Sequence, residues 1–251
     1  MSGGSFARGR TLGSAGRGTP PPPPPAAVVV SPRTVRAVVR QTRRRPHFNP
    51  VFLEVLLSDD RKRFFPAEEI LRAAGIRPGM MVIDLGCGPG YFTMPARRLA
   101  GDEGRVWAVD VQQIMVDHVH NRCQIGRIRG VRCVLSAEQV VPLDDAMADF
   151  VLIAWVLNEA DDAGSLIAEA RRLLKPGGTI AVLEWHKQAK EVAIPVERRV
   201  GVDDLAKLAK ASRLHMLPAT DLSPDAYIAR LRVELPVIEA EEGDEAENGS
   251  R

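Results

Sequence analysis

The residues best placed to do chemistry lie in one short stretch, "VIDLGCGPGYF", residues 82–92. An apolar run reaches Asp84 and breaks into Gly86, Gly88 and Gly90, after which the pattern turns helical. Bare glycines after a strand let a ligand approach the backbone closely. Cys87 sits inside this loop, where a small side chain is what fits. The spacing is G-x-G-x-G, not the G-x-G-x-x-G of dinucleotide loops, and no Lys-Ser or Lys-Thr follows as in a P-loop. Asp84 is the discriminating feature. A carboxylate at the mouth of the loop repels phosphate and attracts positive charge. Asp110 ends the next apolar run about 20 residues beyond the loop, where an acidic side chain accepts hydrogen bonds from ribose hydroxyls. The two aspartates and the glycines together point to an adenosine-containing ligand that is cationic and carries no phosphate. S-adenosylmethionine, with its ammonium and sulfonium, meets both conditions.

The surrounding chain must supply the strands that end at these residues. Short apolar runs alternate with helical periodicity from about Pro46 to Pro236. "MMVID", "RVWAVDV", "GVRCVLS", "DFVLIAWVL" and "TIAVLEW" read as strands. Leu166, Ile167, Ala170, Leu173 and Leu174 recur at helical spacing, and Pro176, Gly177 and Gly178 are expected to stop that helix. This alternation predicts an α/β chain with a mostly parallel sheet covered on both faces. At the end, "RLHMLPA" and "AYIARLRVEL" read as two strands joined by "TDLSPD". So short a connection requires an antiparallel pair.

The ordered segments "VIDLGCGPGYFT", "VWAVDV", "SAEQVVPL", "DFVLIAWVLNE" and "LLKPGGTIAVLEW" resemble the motifs of class I S-adenosylmethionine-dependent methyltransferases. The resemblance spans roughly residues 46 to 235. It is nearest to a methyltransferase type 11 branch close to ubiquinone/menaquinone methyltransferase-like proteins, which share the lead-in His-Phe-x-Pro. It implies a three-layer Rossmann-like fold whose seven-stranded sheet has an antiparallel last strand. It also implies that Asp84 and the loop of Gly86, Cys87, Gly88 and Gly90 hold the methionine part of S-adenosylmethionine. Asp110 would then hold the ribose, while Val111 and Met115 line the adenine site. Ser136, Ala137 and Glu138 would edge the adenine, and Ala154 and Trp155 would stand beside the methionine moiety.

The acceptor side is less legible. Methyl transfer from a sulfonium releases a neutral leaving group, so holding the reactants in line can supply much of the catalysis. A general base is needed only where the acceptor must lose a proton first. His47, Trp155, Asn158, Glu159 and Glu184 are the candidates for the acceptor pocket, and no residue is singled out as catalytic. Asn158 and Glu159 could equally cap a helix beginning near Asp161. No metal is expected: the three cysteines match no zinc spacing, and His118 and His120 are two apart on a predicted helix.

Composition bounds the partners. The net charge is +2, which by itself argues for neither nucleic acid nor membrane. Residues 1–45 contain no Asp or Glu and carry six consecutive prolines, Pro20 to Pro25. They are expected to be a disordered basic segment, and residues 237–251 a disordered acidic tail, on either side of one domain over 46–236. No stretch approaches the roughly 18 apolar residues of a membrane span. Cytosol is the default location, with mitochondrial targeting by the Arg-rich start as the alternative. The favoured acceptor is a small molecule. An RNA or protein acceptor docked by the basic arm is an alternative, disfavoured because the folded part shows no basic stripe with interleaved aromatics. A catalytically silent cofactor-binding protein is another. A nicotinamide dehydrogenase is disfavoured by Asp84 and the glycine spacing.

Overall fold

The computed structural model describes residues 48–190 and 192–233. His47, both expected terminal segments and the outermost residues of the 46–236 unit lie outside the described residues. The helices are α1 (Leu53–Leu56), α2 (Asp59–Phe64), α3 (Ala67–Ala74), α4 (Thr93–Ala100), α5 (Gln113–Ile125), α6 (Ala163–Leu173) and α7 (Val202–Ala211). The strands are β1 (Met81–Leu85), β2 (Arg105–Asp110), β3 (Val131–Leu135), β4 (Ala148–Ala154), β5 (Leu174–Trp185), β6 (Leu214–Met216), β7 (Thr220–Ser223) and β8 (Ala226–Val233).

The strands form one sheet in the order β3-β2-β1-β4-β5-β8-β6, with β7 also paired to β8. Strands β1 to β5 run parallel, and β8 is antiparallel to β5. The expected connection "TDLSPD" is shorter than its sequence suggests. Its first four residues are β7, which continues along β8 the edge that β6 begins. Leu217 N donates to Arg230 O at 2.9 Å, and then Pro218, which has no N–H, breaks the ladder. β6 and β7 are thus one edge strand in two pieces. The sheet has seven strand positions, and only Pro224 and Asp225 make the turn into β8. A second boundary also moves: α6 ends at Leu173, and Leu174 already pairs with Ala148. Pro176, Gly177 and Gly178 form an irregularity inside β5 rather than the stop of a helix.

Adjacent strand residues face opposite layers. Val82, Val106, Leu152 and Leu183 pack with Leu71 of α3 and Ala96 of α4. Val119 and Cys123 of α5 join that layer over Ala108. On the other face Ile83, Val109, Ile153 and Val182 pack with Ile167 and Leu173 of α6 and Leu205 of α7. Asp162 starts α6 by accepting from Gly164 N at 2.9 Å and Ser165 N at 3.2 Å, so the buried stripe of Leu166, Ile167, Ala170 and Leu173 meets the sheet. No helix among the described residues is long and apolar enough to cross a membrane.

Leu173 is fully buried and far from the carboxyl ends of the strands. Leu173→Ala should lower unfolding free energy by about 2–5 kcal/mol in urea titration. A loss under about 1 kcal/mol would mean that α6 is not docked as described.

Candidate functional site

Strand order reverses at β1: β2 and β3 lie to one side, β4 and β5 to the other. A crevice opens beyond the carboxyl ends at such a switch point. Here it is a cleft enclosing about 1000 Å³, open solvent at its mouth included, lined by the β1, β2 and β4 ends and by the lead-in.

The glycine loop is the floor. Gly86 has φ of +79°, and a Cβ there would stand 2.4 Å from Val156 Cγ2, so only glycine fits. Gly86 N and Cys87 N both donate to Val109 O, at 2.8 and 2.9 Å, which ties the loop to β2. Arg122 of α5 braces it from outside by donating to Pro89 O at 2.8 Å and Gly90 O at 3.1 Å. Asp110 holds the loop from the side: its Oδ2 accepts from Gly88 N and its Oδ1 from Gln112 N, both at 2.9 Å. A carboxylate offers about four lone-pair directions, more than these two donors use.

Asp84 is 2% exposed and accepts from Thr93 Oγ1 at 2.5 Å. Burial pushes its pKa up to about 7, against the Thr93 hydrogen bond; Asp110 nearby adds to the rise. A cation placed against this carboxylate would restore its charge. Burial and the same two aspartates also push the Cys87 thiol well up, so it stays protonated and unreactive.

Most of the expected donor-site residues meet in this cleft. Asp84, Gly86, Cys87 and Gly88 line one wall. Asp110, Val111, Met115 and Glu138 line another, and Ala154 lies at the β4 end. Gly90 and Ala137 do not line it. Gly90 faces Val119 on α5, and Ala137 is engaged in a bridge with Val140. Glu138 Oε1 accepts from Asp161 N, joining the loop after β3 to the loop after β4.

The acceptor candidates divide. Trp155 and Glu159 line the cleft. Asn158 and Glu184 do not: they are 1% and 0% exposed and bond to each other behind it. Asn158 Nδ2 donates to Glu184 Oε2 at 3.1 Å, and Asn158 N donates to Oε1 at 3.3 Å. Burial pushes Glu184 up to about 7 in spite of these bonds. Neither Asn158 nor Glu159 caps the next helix, which Asp162 does. Trp155 takes φ of +58°, a left-handed conformation costly for a bulky residue and concentrated at functional sites. Its ring packs on Phe65 with centroids 4.9 Å apart and on Trp185 at 5.2 Å.

Several cleft residues escape the sequence reading: Phe48, Leu56 and Arg61 of the lead-in, and Tyr91, Phe92, Gln112 and Val156 at the strand ends. Phe48 straddles the crevice. Its N donates to Glu159 Oε2 at 2.9 Å and its O accepts from Gln112 Nε2 at 3.1 Å. Tyr91 OH donates to Phe65 O at 2.6 Å, fastening the end of α2. Arg61 lies among "SDDRKRF", where charges look like a solvated face. Only the aromatics flanking that run hinted that one arginine turns inward. Among the described residues no group of three or more His, Cys, Asp or Glu could hold a metal ion.

Residues 83–182, which include the glycine loop, Asp110 and β4, match the family described as a methyltransferase domain. A ubiquinone/menaquinone biosynthesis C-methyltransferase UbiE of Shewanella halifaxensis is 33% identical over 123 residues, 49% of this chain and 49% of that protein. The Vibrio campbellii protein of the same name is 32% identical, over 62% of this chain and 58% of its own length. The matched region thus spans about half of these curated relatives. Among solved structures, a SAM dependent methyltransferase from Aquifex aeolicus superposes with a TM-score of 0.70 at 23% identity, covering 74% of this chain and 98% of its own. The geranyl diphosphate C-methyltransferase of Streptomyces coelicolor gives 0.60 at 17% identity, covering 74% and 85%. Residues 83–182 are thus similar to a methyltransferase domain, and the fold around them is shared with a SAM dependent methyltransferase.

Asp84 and Glu184 carry a pH signature. Both have native pKa values raised to about 7, against ordinary values of 3.8 and 4.5. Between those limits the native chain binds more protons at these sites than the unfolded chain. Their contribution to stability therefore falls as pH rises through the window and levels off above about 7. Glu184→Gln should flatten that fall, read as the urea midpoint at about pH 5 against about pH 8. An undiminished drop would show that Glu184 is already ionised in the native state.

Proposed function

We propose that this chain transfers a methyl group from S-adenosylmethionine to a small-molecule acceptor. The observation that carries the reading is the placement of Asp84 and Asp110 on adjacent strand ends around one glycine loop. The cleft suits an adenosine bearing a cationic amino-acid tail, because each polar part of such a ligand meets a group already oriented for it. S-adenosylmethionine would supply the sulfonium methyl. The residues then do three things. Asp110, fixed by two backbone N–H donors, receives the ribose hydroxyls. Asp84, desolvated and half-neutral near pH 7, takes up the ammonium and with it a full charge. Val111 and Met115 offer the adenine an apolar wall.

The acceptor chamber lies beside Trp155, Phe92 and Tyr91, on the β4 side. These rings favour a planar, largely apolar acceptor. The names of the matched relatives support a carbon as the methylated atom, which makes the chain a transferase of class EC 2.1.1.-. Glu159 is the carboxylate in the cleft wall closest in sequence to Trp155 and is the candidate to receive a proton from such an acceptor. Its bond to Phe48 N makes it part of the cover as well.

Calorimetry with S-adenosylmethionine and NADH tests the donor: binding of NADH and not S-adenosylmethionine overturns the reading. Asp110→Ala should weaken S-adenosylmethionine by about 1–3 kcal/mol, the scale for hydrogen bonds lost at a buried polar group. Unchanged affinity would mean that the ribose is held elsewhere. Incubation of the full chain with a metabolite pool and methyl-labelled S-adenosylmethionine identifies the acceptor. Label appearing only on RNA or protein would overturn the small-molecule assignment.

A further inference from the structure

A second groove lies at the amino ends of β1, β4 and β5, at the far end of the sheet from the glycine loop. It encloses about 810 Å³, open solvent included. Alternation along β8 builds one side of it. Ala229 and Leu231 pack into the layer of α6 and α7, so Ile228, Arg230 and Arg232 face the layer of α3 and α4. Arg232 stands between Thr179 of β5 and His215 of β6. Arg77, in the connection from α3 to β1, joins Arg230 and Arg232 in the lining. Arg77 and Arg232 are exposed and Arg230 is half-buried. Among the described residues none of the three makes an ion pair. The carboxylate in the lining, Asp149, is already engaged. Its Oδ1 pairs with Lys175 Nζ at 2.8 Å, and its Oδ2 accepts from Met81 N at 2.8 Å. A side chain added at Gly75 or Gly177 would meet nothing within 4 Å, so both stretches of backbone open onto free space.

Three arginines in one groove repel one another and call for an anion of several charges. Residues 239–247, which lie outside the described residues, have that composition. They hold Glu239, Glu241, Glu242, Asp244, Glu245 and Glu247, with no Lys or Arg among them. They also follow closely on β8, the strand that carries Arg230 and Arg232. A chain spans at most about 3.3–3.6 Å per residue, so Glu239 must stay within roughly 20 Å of Val233 at the end of β8. So short a tether keeps the effective concentration of these carboxylates near the millimolar range, where weak ion pairs suffice. Residues 1–45 contain no Asp or Glu and offer no rival. We infer that the groove is a docking site for the acidic segment 239–247 of the same chain, with its carboxylates against Arg77, Arg230 and Arg232. The contact joins the end of β8 to the connection between α3 and β1. It shares no lining residue with the glycine-loop cleft, so it stands or falls independently of the donor reading.

Zero-length cross-linking of the full chain tests the contact. Arg232→Lys and, separately, Arg77→Lys put a reactive amine into the groove while keeping its charge. Circular dichroism confirms that both variants fold. After carbodiimide treatment, peptide mass spectrometry should find the substituted position joined to a carboxylate of residues 239–247 within one chain. The yield should exceed that at the exposed Lys62 and Lys207 roughly tenfold, the preference that two exposed ion pairs together supply. In about 1 M NaCl, where the screening length falls to about 3 Å, the excess should vanish. Links spread evenly over the lysines, an excess that persists in salt, or links that join two chains overturn the inference. So does the absence of such a link from both variants.

Discussion

The crevice at the reversal of strand order is the constraint on which the site depends. The crossovers from β1 to β2 and from β4 to β5 step in opposite directions along the sheet, so right-handed connections send the loops leaving β1 and β4 toward opposite layers. The loop after β1 turns into α4 on one face, and the segment after β4 leads to α6 on the other. Their divergence leaves a gap that no sheet residue can fill. Everything chemical follows from lining it: Asp84 and the glycines on its floor, Asp110 from β2, and Trp155 from β4. Close packing of the floor explains the glycine at 86, since Val156 of the opposite loop already occupies the space a side chain would take.

Electrostatics in this gap are set by desolvation more than by pairing. Asp84 sits with Asp110 nearby, yet the two are treated differently. Asp110 accepts from the backbone N–H groups of Gly88 and Gln112, whereas Asp84 accepts from the Thr93 hydroxyl and has a raised pKa. Two carboxylates in one cleft with divergent environments can do different work. In the proposed reading, Asp110 accepts hydrogen bonds from neutral hydroxyls and Asp84 takes a cation. The same logic separates Glu184 from the site: it too is raised by burial, but its lone pairs are spent on Asn158, so it holds the β4 and β5 ends together behind the cleft.

Much of this arrangement is legible in the sequence because it follows from local rules. The glycine loop and the two aspartates occupy fixed places relative to strand ends, and strand ends are set by apolar runs that periodicity reveals. The α/β architecture and the antiparallel last strand follow from alternation and from one short connection. What escapes is what depends on a particular register or rotation. Pro218 splitting an edge strand requires knowing that 214–223 runs along β8. Asn158 and Glu184 sit at or just past strand ends, as site residues do, but the packing of β4 against β5 decides which way each side chain turns. Gly90 belongs to the loop pattern yet faces α5. Arg61 is the sharpest case, since a charged run on a short amphipathic helix gives no sign of the one residue that stacks on a tryptophan more than 90 positions later.

The lead-in is the least self-supporting part of the described chain. α1 and α2 contain no fully buried residue, and Val51, Val55 and Phe64 are exposed. Few buried contacts place a segment at the low-stability end of local opening. Yet it is fastened at points that are themselves part of the site: Phe48 to Gln112 and Glu159, and the end of α2 to Tyr91. Gln112 in turn is anchored by Asp110. Ordering of the cover is therefore coupled, through Phe48 and Gln112, by a continuous hydrogen-bonded path to Asp110 at the end of β2.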